Sequence, residues 1–360
     1  MIQIAKPMIE KEEILHVQKI MNSGMIASGK TVLDFEKKFA EYMEVNYAIA
    51  TSSGTTALHA AVIAAAIQPG DKVITTPFTF AATANSLLFE KAVPVFADID
   101  PNTFNIDPSS VEQILKNNSD IKALLIVHLF GLPCNMDKLM ELTKKYNLLL
   151  IEDCAQSHGA KYNNQTVGSF GIASTYSFYP TKNMTTGEGG MLLTNNKSLY
   201  KKVQAIINHG QQERYIHTQL GYNFRMTNIA AAIGLEQLKK LNTFNAKRIK
   251  NAKYYSENIK NDVITLPTVP KNCKHVYHQY TIKVKNREKF INHLEKHGIG
   301  FGIYYPIPLN AQPYYTQLGY NPLETPIAMK ISNEVVSIPV HPALSKEDIQ
   351  KVAEVINHYE

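Results

Sequence analysis

A carboxylate and an amine stand out in this chain because of their local settings. Asp153 ends the run Leu148-Leu149-Leu150-Ile151-Glu152, which predicts a buried strand with acidic residues at its end. Lys182 lies in a stretch of small and aromatic residues, just before the glycine-rich residues 187–190. Such a carboxylate can keep a pyridine nitrogen protonated, and such a lysine can hold an aldehyde as a Schiff base. The pair therefore predicts a pyridoxal phosphate site.

Lys182 also has an ordinary interpretation, since most lysines are solvated surface groups. The neighbouring Ser177-Phe178 and Gly187–Gly190 favour an enclosed loop instead. Burial there would lower the pKa of the lysine and free its amine for attack. Once released from the aldehyde, the amine could carry a proton between the substrate carbon and the cofactor carbon.

A phosphate cup is predicted at Thr51–Leu58, where a strand leads into an alanine-rich helix. The free N–H groups of a helix N-terminus suit a phosphate dianion, although simple capping by Ser and Thr explains the same residues. One phenylalanine of Pro77-Phe78-Thr79-Phe80 could lie on the pyridine ring, and core packing fits at least one of the two. Gln156 could bind the phenolic oxygen of the cofactor.

The segment Tyr222–Met226 precedes a helix capped by Thr227 or Asn228. Asn223 and Arg225 are its polar groups, and both could contact an anion, although an ordinary loop-to-helix junction remains open.

These residues need a scaffold, and the pattern from Tyr47 to Leu193 predicts one. Short apolar runs alternate with helical patterns, which predicts an α/β fold with a mostly parallel sheet covered on both faces. The predicted strands are Tyr47–Ala50, Lys72–Thr75, Val93–Ala97, Ala123–Val127, Leu148–Glu152, Ser174–Phe178 and Met191–Thr194. The predicted helices are Thr55–Ile67, Ala81–Glu90, Pro108–Lys116 and Met136–Tyr146. Functional residues should lie at the C-terminal ends of the strands, as Asp153 does.

The second part of the chain predicts a smaller α+β domain. A long helix from about Thr227 to Ile259, with a possible break near Asn242, is followed by a strand at His278–Lys285. A helix at Arg287–His297, a Pro-rich segment at Tyr304–Pro326, the strand Val335–Pro339 and a helix at Lys346–His358 complete it. We place the domain boundary between residues 240 and 241.

Composition excludes several other classes of protein. The net charge of +6 is spread thinly over 360 residues, so nucleic acid binding is disfavoured. The three cysteines have no disulfide or zinc spacing, and we expect no metal site. Cys154 next to Asp153 is better explained as a buried filler than as a nucleophile. The longest apolar runs are too short to cross a membrane, and no signal-peptide core is evident. We therefore expect a cytoplasmic protein.

Taken together, the motifs closely resemble those of the DegT/DnrJ/EryC1/StrS family of sugar aminotransferases, which have the pyridoxal phosphate-dependent transferase fold of type I. The resemblance runs nearly end to end. It rests on Gly29…Phe35-Glu36, Ser53–Leu58, Pro77–Phe80, Glu152–Gln156, Ser177-Phe178…Lys182 and Asn223–Met226. It implies a large domain with a mostly parallel seven-stranded sheet and a smaller C-terminal domain.

The resemblance also implies a role for each site residue. Lys182 would form the Schiff base, Asp153 would pair with the pyridine nitrogen, and Gln156 would contact the ring oxygen. Phe80 would stack on the ring. The phosphate would be held by Gly54, Thr55 and Ser177, and by Asn223 from a partner subunit. Some family members carry histidine at the lysine position and dehydrate their substrates, so Lys182 implies transamination.

The C-terminal segment departs from the family pattern. Relatives often read His-Tyr-Pro-x-Pro-x-His, whereas this chain has Tyr304-Tyr305-Pro306-Ile307-Pro308-Leu309-Asn310. The loop resembles a sugar-contacting one, so Tyr305 and Asn310, together with Arg225, are the expected substrate contacts. The motif at Thr185–Gly190 resembles enzymes that act at the fourth ring carbon. The stretches Tyr179–Asn183 and Gln312-Pro313 resemble those that act at the third.

The expected reaction is transfer of an amino group, with glutamate as the expected donor, to a nucleotide-linked 3-keto or 4-keto hexose, as in amino sugar and cell-surface polysaccharide biosynthesis. A homodimer with shared active sites is implied. Two alternatives stay open: the same chemistry on a free cyclic ketone such as a keto-inositol, and a regulatory homologue without turnover.

Overall fold

The computed structural model describes all 360 residues of the chain. The helices are α1 (Lys11–Ser23), α2 (Lys30–Met43), α3 (Gly54–Ala64), α4 (Ala82–Phe89), α5 (Pro108–Asn117), α6 (Met136–Lys145), α7 (Lys197–Ile206), α8 (Asn228–Asn258), α9 (Arg287–Lys296), α10 (Pro313–Gln317), α11 (Pro326–Glu334) and α12 (Lys346–Asn357). The strands are β1 (Tyr47–Thr51), β2 (Lys72–Thr75), β3 (Val93–Phe96), β4 (Ile121–Val127), β5 (Leu149–Asp153), β6 (Lys161–Tyr162), β7 (Gln165–Thr166), β8 (Ala173–Ser177), β9 (Gly190–Thr194), β10 (Gln211–Glu213), β11 (Ile216–His217), β12 (Ile264–Thr265), β13 (Cys273–Lys274), β14 (Tyr280–Val284) and β15 (Val335–Ile338).

The large sheet has seven strands in the order β1-β9-β8-β5-β4-β2-β3. Only β9 runs antiparallel to its neighbours, and the other adjacent pairs are parallel. All seven predicted strands are present, so the prediction of a mostly parallel α/β sheet is confirmed. Asp153 is the last residue of β5, at the sheet edge where the parallel strands end.

Alternating side chains of the central strands bury both faces of this sheet. Val73 and Leu125 pack with α3 and α7 on one face, in a cluster that includes Val203. Ile74 and Leu124 point to the other face, where they pack with α5 and α6. This alternation follows from the two-residue period of a strand, and it explains why successive residues in the middle of these strands are apolar.

A second, three-stranded sheet in the order β12-β14-β15 lies in the C-terminal part of the chain. Its core includes Ile282, Phe290 and Val352, from β14, α9 and α12, together with Tyr255 of α8. The Ile2 N–H also donates to the Gly298 carbonyl (2.8 Å), so the first residues of the chain join this region. No helix is both long enough and apolar enough to span a membrane.

Helix α8 is continuous over 31 residues, so the predicted break near Asn242 is wrong. The exposed Asn242 side chain accepts a hydrogen bond from the Tyr42 hydroxyl (2.8 Å) and leaves the helix backbone intact. Leu241 and Phe244 are buried on either side of it, which anchors the helix at this point. The boundary after residue 240 stays a prediction, and it falls inside this helix.

Candidate active site

A cavity of about 480 Å³ lies at the C-terminal ends of the parallel strands. The cavity brings together side chains that are distant in sequence. The C-terminal edge of the strands is the expected place for a ligand in an open α/β sheet. The predicted site residues that line it are Gly54, Thr55, Phe80, Asp153, Gln156, Ser177, Lys182 and Tyr305.

The Asp153 carboxylate is buried and held in one orientation. Its Oδ2 accepts a hydrogen bond from the Thr83 hydroxyl (2.8 Å), and its Oδ1 accepts one from the Ala155 N–H (3.0 Å). Burial raises the pKa of Asp153, while these hydrogen bonds and the charge of Lys182 oppose the rise. A carboxylate positioned in this way would be stabilised further by a cationic partner in the cavity.

Lys182 lies in the turn after β8, where its backbone N–H donates to the Tyr179 carbonyl (2.9 Å). The Thr185 hydroxyl closes the same loop by donating to the Phe178 carbonyl (2.8 Å). Burial lowers the pKa of Lys182 to about 8, although the nearby Asp153 carboxylate acts in the opposite direction. Roughly a tenth of the amine is therefore uncharged at pH 7, far more than for an ordinary lysine, and this uncharged form is the one that acts as a nucleophile or base.

The start of α3 combines helix capping with a ligand cradle. The Ser53 hydroxyl accepts from the Thr56 N–H (3.1 Å), so the capping interpretation is correct for this residue. Gly54 and Thr55, which follow, line the cavity. A Cβ on Gly54 would lie 2.8 Å from the Ser177 Cβ, so only glycine lets the helix end approach β8 this closely.

Gln156 is fixed by hydrogen bonds at both ends of its amide. Its Oε1 accepts from the Phe130 N–H (2.8 Å), and its Nε2 donates to the Tyr305 hydroxyl (3.0 Å). The two phenylalanines of the 77–80 motif have different roles: Phe78 is buried in the core, whereas Phe80 is 61% exposed on the cavity wall.

Three predicted site residues do not reach the cavity of their own chain. Asn223 is exposed, and the Arg225 guanidinium donates to the Asn208 side chain (2.6 Å). Asn310 is completely buried, and its amide donates to the Asn321 carbonyl (3.1 Å) and the Thr325 hydroxyl (2.9 Å). The Asn310 side chain therefore braces its own segment in this structure, and its expected contact with a substrate stays a prediction.

Sequence reasoning missed Thr83, His278 and Gln279. Thr83 lies one helical turn after Thr79, which gave a weak signal that it faces the same way. His278 and Gln279 reach the cavity wall only because the residues before β14 pack on the loop after β4, and no local pattern predicts that. Cys154 is completely buried in a hydrophobic cluster, and burial raises the pKa of its thiol well above the usual value, as expected for a filler.

Glu152, His128 and Cys154 form a buried group beneath the cavity. The Glu152 carboxylate accepts from the N–H groups of Gly168, Phe170 and Gly171 (2.8 Å each) and lies 3.0 Å from His128 Nε2. These contacts occupy the carboxylate and tie the 168–171 loop to the end of β5.

The comparisons with known proteins agree with this geometry. Residues 7–357 match the model of the DegT/DnrJ/EryC1/StrS aminotransferase family. The chain belongs to this family. The expected resemblance is thus confirmed, as are the type I fold and the assignment as a pyridoxal phosphate-dependent aminotransferase.

Individual relatives in the DegT/DnrJ/EryC1/StrS family have different names. A pleiotropic regulatory protein of Geobacillus stearothermophilus is 40% identical, covering 97% of this chain and 96% of the relative. A dTDP-3-amino-3,6-dideoxy-alpha-D-galactopyranose transaminase of Aneurinibacillus thermoaerophilus is 39% identical, covering 97% and 96%. The structure of S. venezuelae DesV in complex with ketimine intermediate superposes with a TM-score of 0.94 at 30% identity, covering 97% and 94%.

The cavity fits the cofactor of this family on three observations. It contains a buried carboxylate, a buried amine with a lowered pKa, and a helix N-terminus that a glycine leaves open. When bound, pyridoxal phosphate supplies an electron-accepting ring that stabilises negative charge on a substrate carbon.

Proposed function

We propose that this enzyme transfers an amino group from L-glutamate to a nucleotide-linked 3-keto or 4-keto hexose. The observation that carries the proposal is the juxtaposition of Asp153 and Lys182 in one cavity. The named transaminase from Aneurinibacillus supports the substrate class, and it makes 3-keto sugars the first substrates to test.

Each side chain of the cavity has a distinct role in this proposal. Asp153 would keep a proton on the ring nitrogen, and the Thr83 hydroxyl would hold that carboxylate in place. Lys182 would hold the cofactor and, once its amine is free, would remove and return the proton at the substrate carbon. Phe80 would cover one face of the ring.

The remaining cofactor contacts are of two kinds. Gly54, Thr55 and Ser177 would bind the phosphate, with N–H groups at the start of α3 directed at the anion. One N–H of Gln156 already donates to Tyr305, which leaves its second N–H for the ring oxygen. Tyr305 would contact the sugar from the opposite wall.

The position of the cofactor can be tested chemically. We expect borohydride reduction and peptide mapping to recover the cofactor on Lys182, because it is the only lysine that lines the cavity and burial lowers its pKa. Recovery on any other lysine would refute the assignment. Lys182→Ala should abolish turnover, whereas the phosphate contacts should still allow noncovalent binding of the cofactor.

The amino donor can be tested separately from the acceptor. Glutamate alone should change the absorbance of the bound cofactor in a single turnover, and a keto sugar should restore it, since the reaction has two halves. If glutamate leaves the spectrum unchanged while another amine changes it, the donor assignment fails and the mechanism stands. If no amine donor changes the absorbance, the result would favour a regulatory role, which is the role in the name of the Geobacillus relative.

A screen of the purified enzyme against UDP-, GDP- and dTDP-linked 3-keto and 4-keto sugars would identify the acceptor. Free keto-inositols should be included, because the cavity alone does not distinguish one cyclic ketone from another. Amination of a free cyclic ketone, and of no nucleotide-linked sugar, would refute the proposed substrate class.

The proposed assembly is a homodimer whose active sites are each completed by the neighbouring subunit. Its support is that Asn223 and Arg225 lie outside the cavity of their own chain, while the residues that line that cavity include no arginine. A guanidinium and an amide from a partner would supply the missing phosphate contacts.

A further inference from the structure

Two threonine hydroxyls form a chain of hydrogen bonds behind the Asp153 carboxylate. The Thr83 hydroxyl donates to Asp153 Oδ2 (2.8 Å), and the Thr79 hydroxyl lies 3.1 Å from that of Thr83. Both side chains are buried, with exposed fractions of 2% for Thr79 and 1% for Thr83, and both residues line the active-site cavity. The chain of bonds therefore starts at the cavity wall and ends on the carboxylate.

The direction of each bond in this chain follows from the chemistry of its members. An ionised carboxylate can only accept, so Thr83 directs its single hydroxyl proton at Asp153. The Thr83 oxygen must then accept from Thr79, whose own hydroxyl proton is used in turn. Thr79 thus holds the Thr83 hydroxyl in the one orientation that serves Asp153.

The surroundings of Asp153 disfavour a negative charge, so its hydrogen bonds decide how well it stays ionised. Burial raises the pKa of Asp153, whereas the Ala155 N–H, the Thr83 hydroxyl and the charge of Lys182 oppose the rise. Thr83 is the second residue of α4, so its hydroxyl also lies at the positive end of that helix. A hydroxyl that accepts a hydrogen bond is polarised and donates more strongly, so the bond from Thr79 strengthens the bond to Asp153.

We propose that Thr79 is a positioning residue, which acts through Thr83 to keep Asp153 ionised and so keeps the proton on the ring nitrogen of the bound cofactor. This inference rests on the role that the proposed function gives to Asp153. Loss of a bond in the chain makes the ionised carboxylate less stable, so the proton moves from the ring nitrogen towards the carboxylate. A ring without that proton accepts less negative charge from the substrate carbon.

The test is the NMR signal of an isotopically labelled ring nitrogen in the cofactor-loaded enzyme. Thr79→Val keeps the shape of the side chain but removes its hydroxyl, so the signal should move towards that of an unprotonated pyridine. Thr83→Val should move the signal further, because it removes the bond to the carboxylate itself. The single-turnover reaction with glutamate should slow about threefold to tenfold in Thr79→Val and at least about tenfold in Thr83→Val.

A double variant distinguishes a chain of bonds from two independent contacts. If Thr79 acts only through Thr83, then Thr79→Val should change neither the signal nor the rate further in the Thr83→Val background. Thr79→Ser keeps the hydroxyl and should resemble the wild type in both measurements. If Thr79→Val does not fold, the comparison of Thr79→Ala with Thr79→Ser takes its place.

Thr175→Val is the matched control. Thr175 pairs with Asp153 across the sheet and is as deeply buried as Thr83, but its hydroxyl makes no hydrogen bond. This variant should keep the wild-type signal and rate. The inference is overturned if Thr79→Val leaves the signal unchanged, if it has the same effect in the Thr83→Val background, or if Thr175→Val moves the signal as far.

Failure of the proposed function would give a different result. If Asp153→Asn also leaves the signal unchanged, Asp153 is not the partner of the ring nitrogen, and both its proposed role and this inference fail. A signal that moves in Asp153→Asn but not in Thr79→Val removes only this inference. The NMR measurement needs no keto sugar, so a wrong acceptor in the proposed function would not alter it.

Discussion

Burial acts in opposite directions on the two ionisable groups of the cavity. It lowers the pKa of Lys182 to about 8 and raises the pKa of Asp153, so each is pushed towards its neutral form. Their mutual attraction opposes both changes. The lysine is thereby prepared for attack, and the carboxylate gains most from a cationic partner such as a protonated pyridine.

The lowered pKa of Lys182 predicts how cofactor capture depends on pH. In cofactor-free enzyme the capture rate should rise with pH around a midpoint near 8, because only the uncharged amine attacks the aldehyde. Asp153→Asn should shift this midpoint to lower pH, since it removes the negative charge that raises the pKa of the lysine. Stopped-flow absorbance across the pH range measures both midpoints, and a variant midpoint equal to that of the wild type would contradict the coupling.

Gly54 is predicted to tolerate no side chain. Gly54→Ala should lower the free energy of unfolding by about 1–3 kcal/mol and reduce cofactor content, because the new Cβ meets Ser177 at 2.8 Å. Denaturant unfolding and cofactor absorbance measure the two effects. Ser198→Ala, at an exposed position near the start of α7, is the control and should change neither. Full cofactor content in Gly54→Ala would show that the close approach is dispensable.

Local patterns in the sequence predicted the residues at strand and helix ends but not those brought in by distant packing. Asp153, Lys182 and Gly54 each carry a recognisable neighbourhood, and all three reach the cavity. His278 has no such neighbourhood, since its place depends on how one part of the chain packs on another. The burial of Asn310 was not predictable for a related reason: a loop motif does not show which of its side chains turn inwards.

At the scale of elements, Glu152 holds the loop after β7 against the end of β5. Glu152→Gln should lower the free energy of unfolding by about 3 kcal/mol, because the amide nitrogen replaces one of the two carboxylate oxygens. The buried N–H donors of that oxygen, either Gly168 or both Phe170 and Gly171, then lose their acceptor. Urea denaturation with the cofactor-free protein measures this loss.

Glu112→Gln is the matched control. The Glu112 carboxylate also has several partners, since it pairs with Lys116 (3.3 Å) and Lys145 (3.1 Å), but all three groups are at the surface. No measurable change in unfolding is expected from it. Equal losses in the two variants would show that the buried contacts of Glu152 add no more to the free energy of unfolding than the surface ion pairs of Glu112.

Helices and strands were predictable from the sequence wherever the hydrophobic periodicity is strong. The strands of the large sheet contain short apolar runs or alternating patterns, and they are present within two residues of their predicted ends. The centre of α8 was not predictable in the same way, because Asn242 weakens the helical pattern locally. Packing of α1 and α2 along that helix overrides the local preference.

At the scale of the whole molecule, the proposed dimer makes a prediction about mixed subunits. Lys182→Ala and Asn223→Ala chains should each be nearly inactive alone, and a mixture should partly regain activity. A mixed dimer would contain one site in which both residues are intact, so turnover after subunit exchange is the measurement. No recovery in a mixture whose exchange is demonstrated would mean that each chain builds its site alone.

The unbroken course of α8 also limits how the molecule can move. At 31 residues it is a rod of about 46 Å that runs from the segment after Arg225 to the core of the small sheet. A hinge rotation of the small sheet relative to the large sheet would have to bend this helix. A tilt of the helix by about 5° would move its far end by about 4 Å. We therefore expect the large and the small sheet to keep their mutual orientation when a substrate binds. Amide hydrogen exchange should then stay slow along the middle of α8, both with and without a nucleotide.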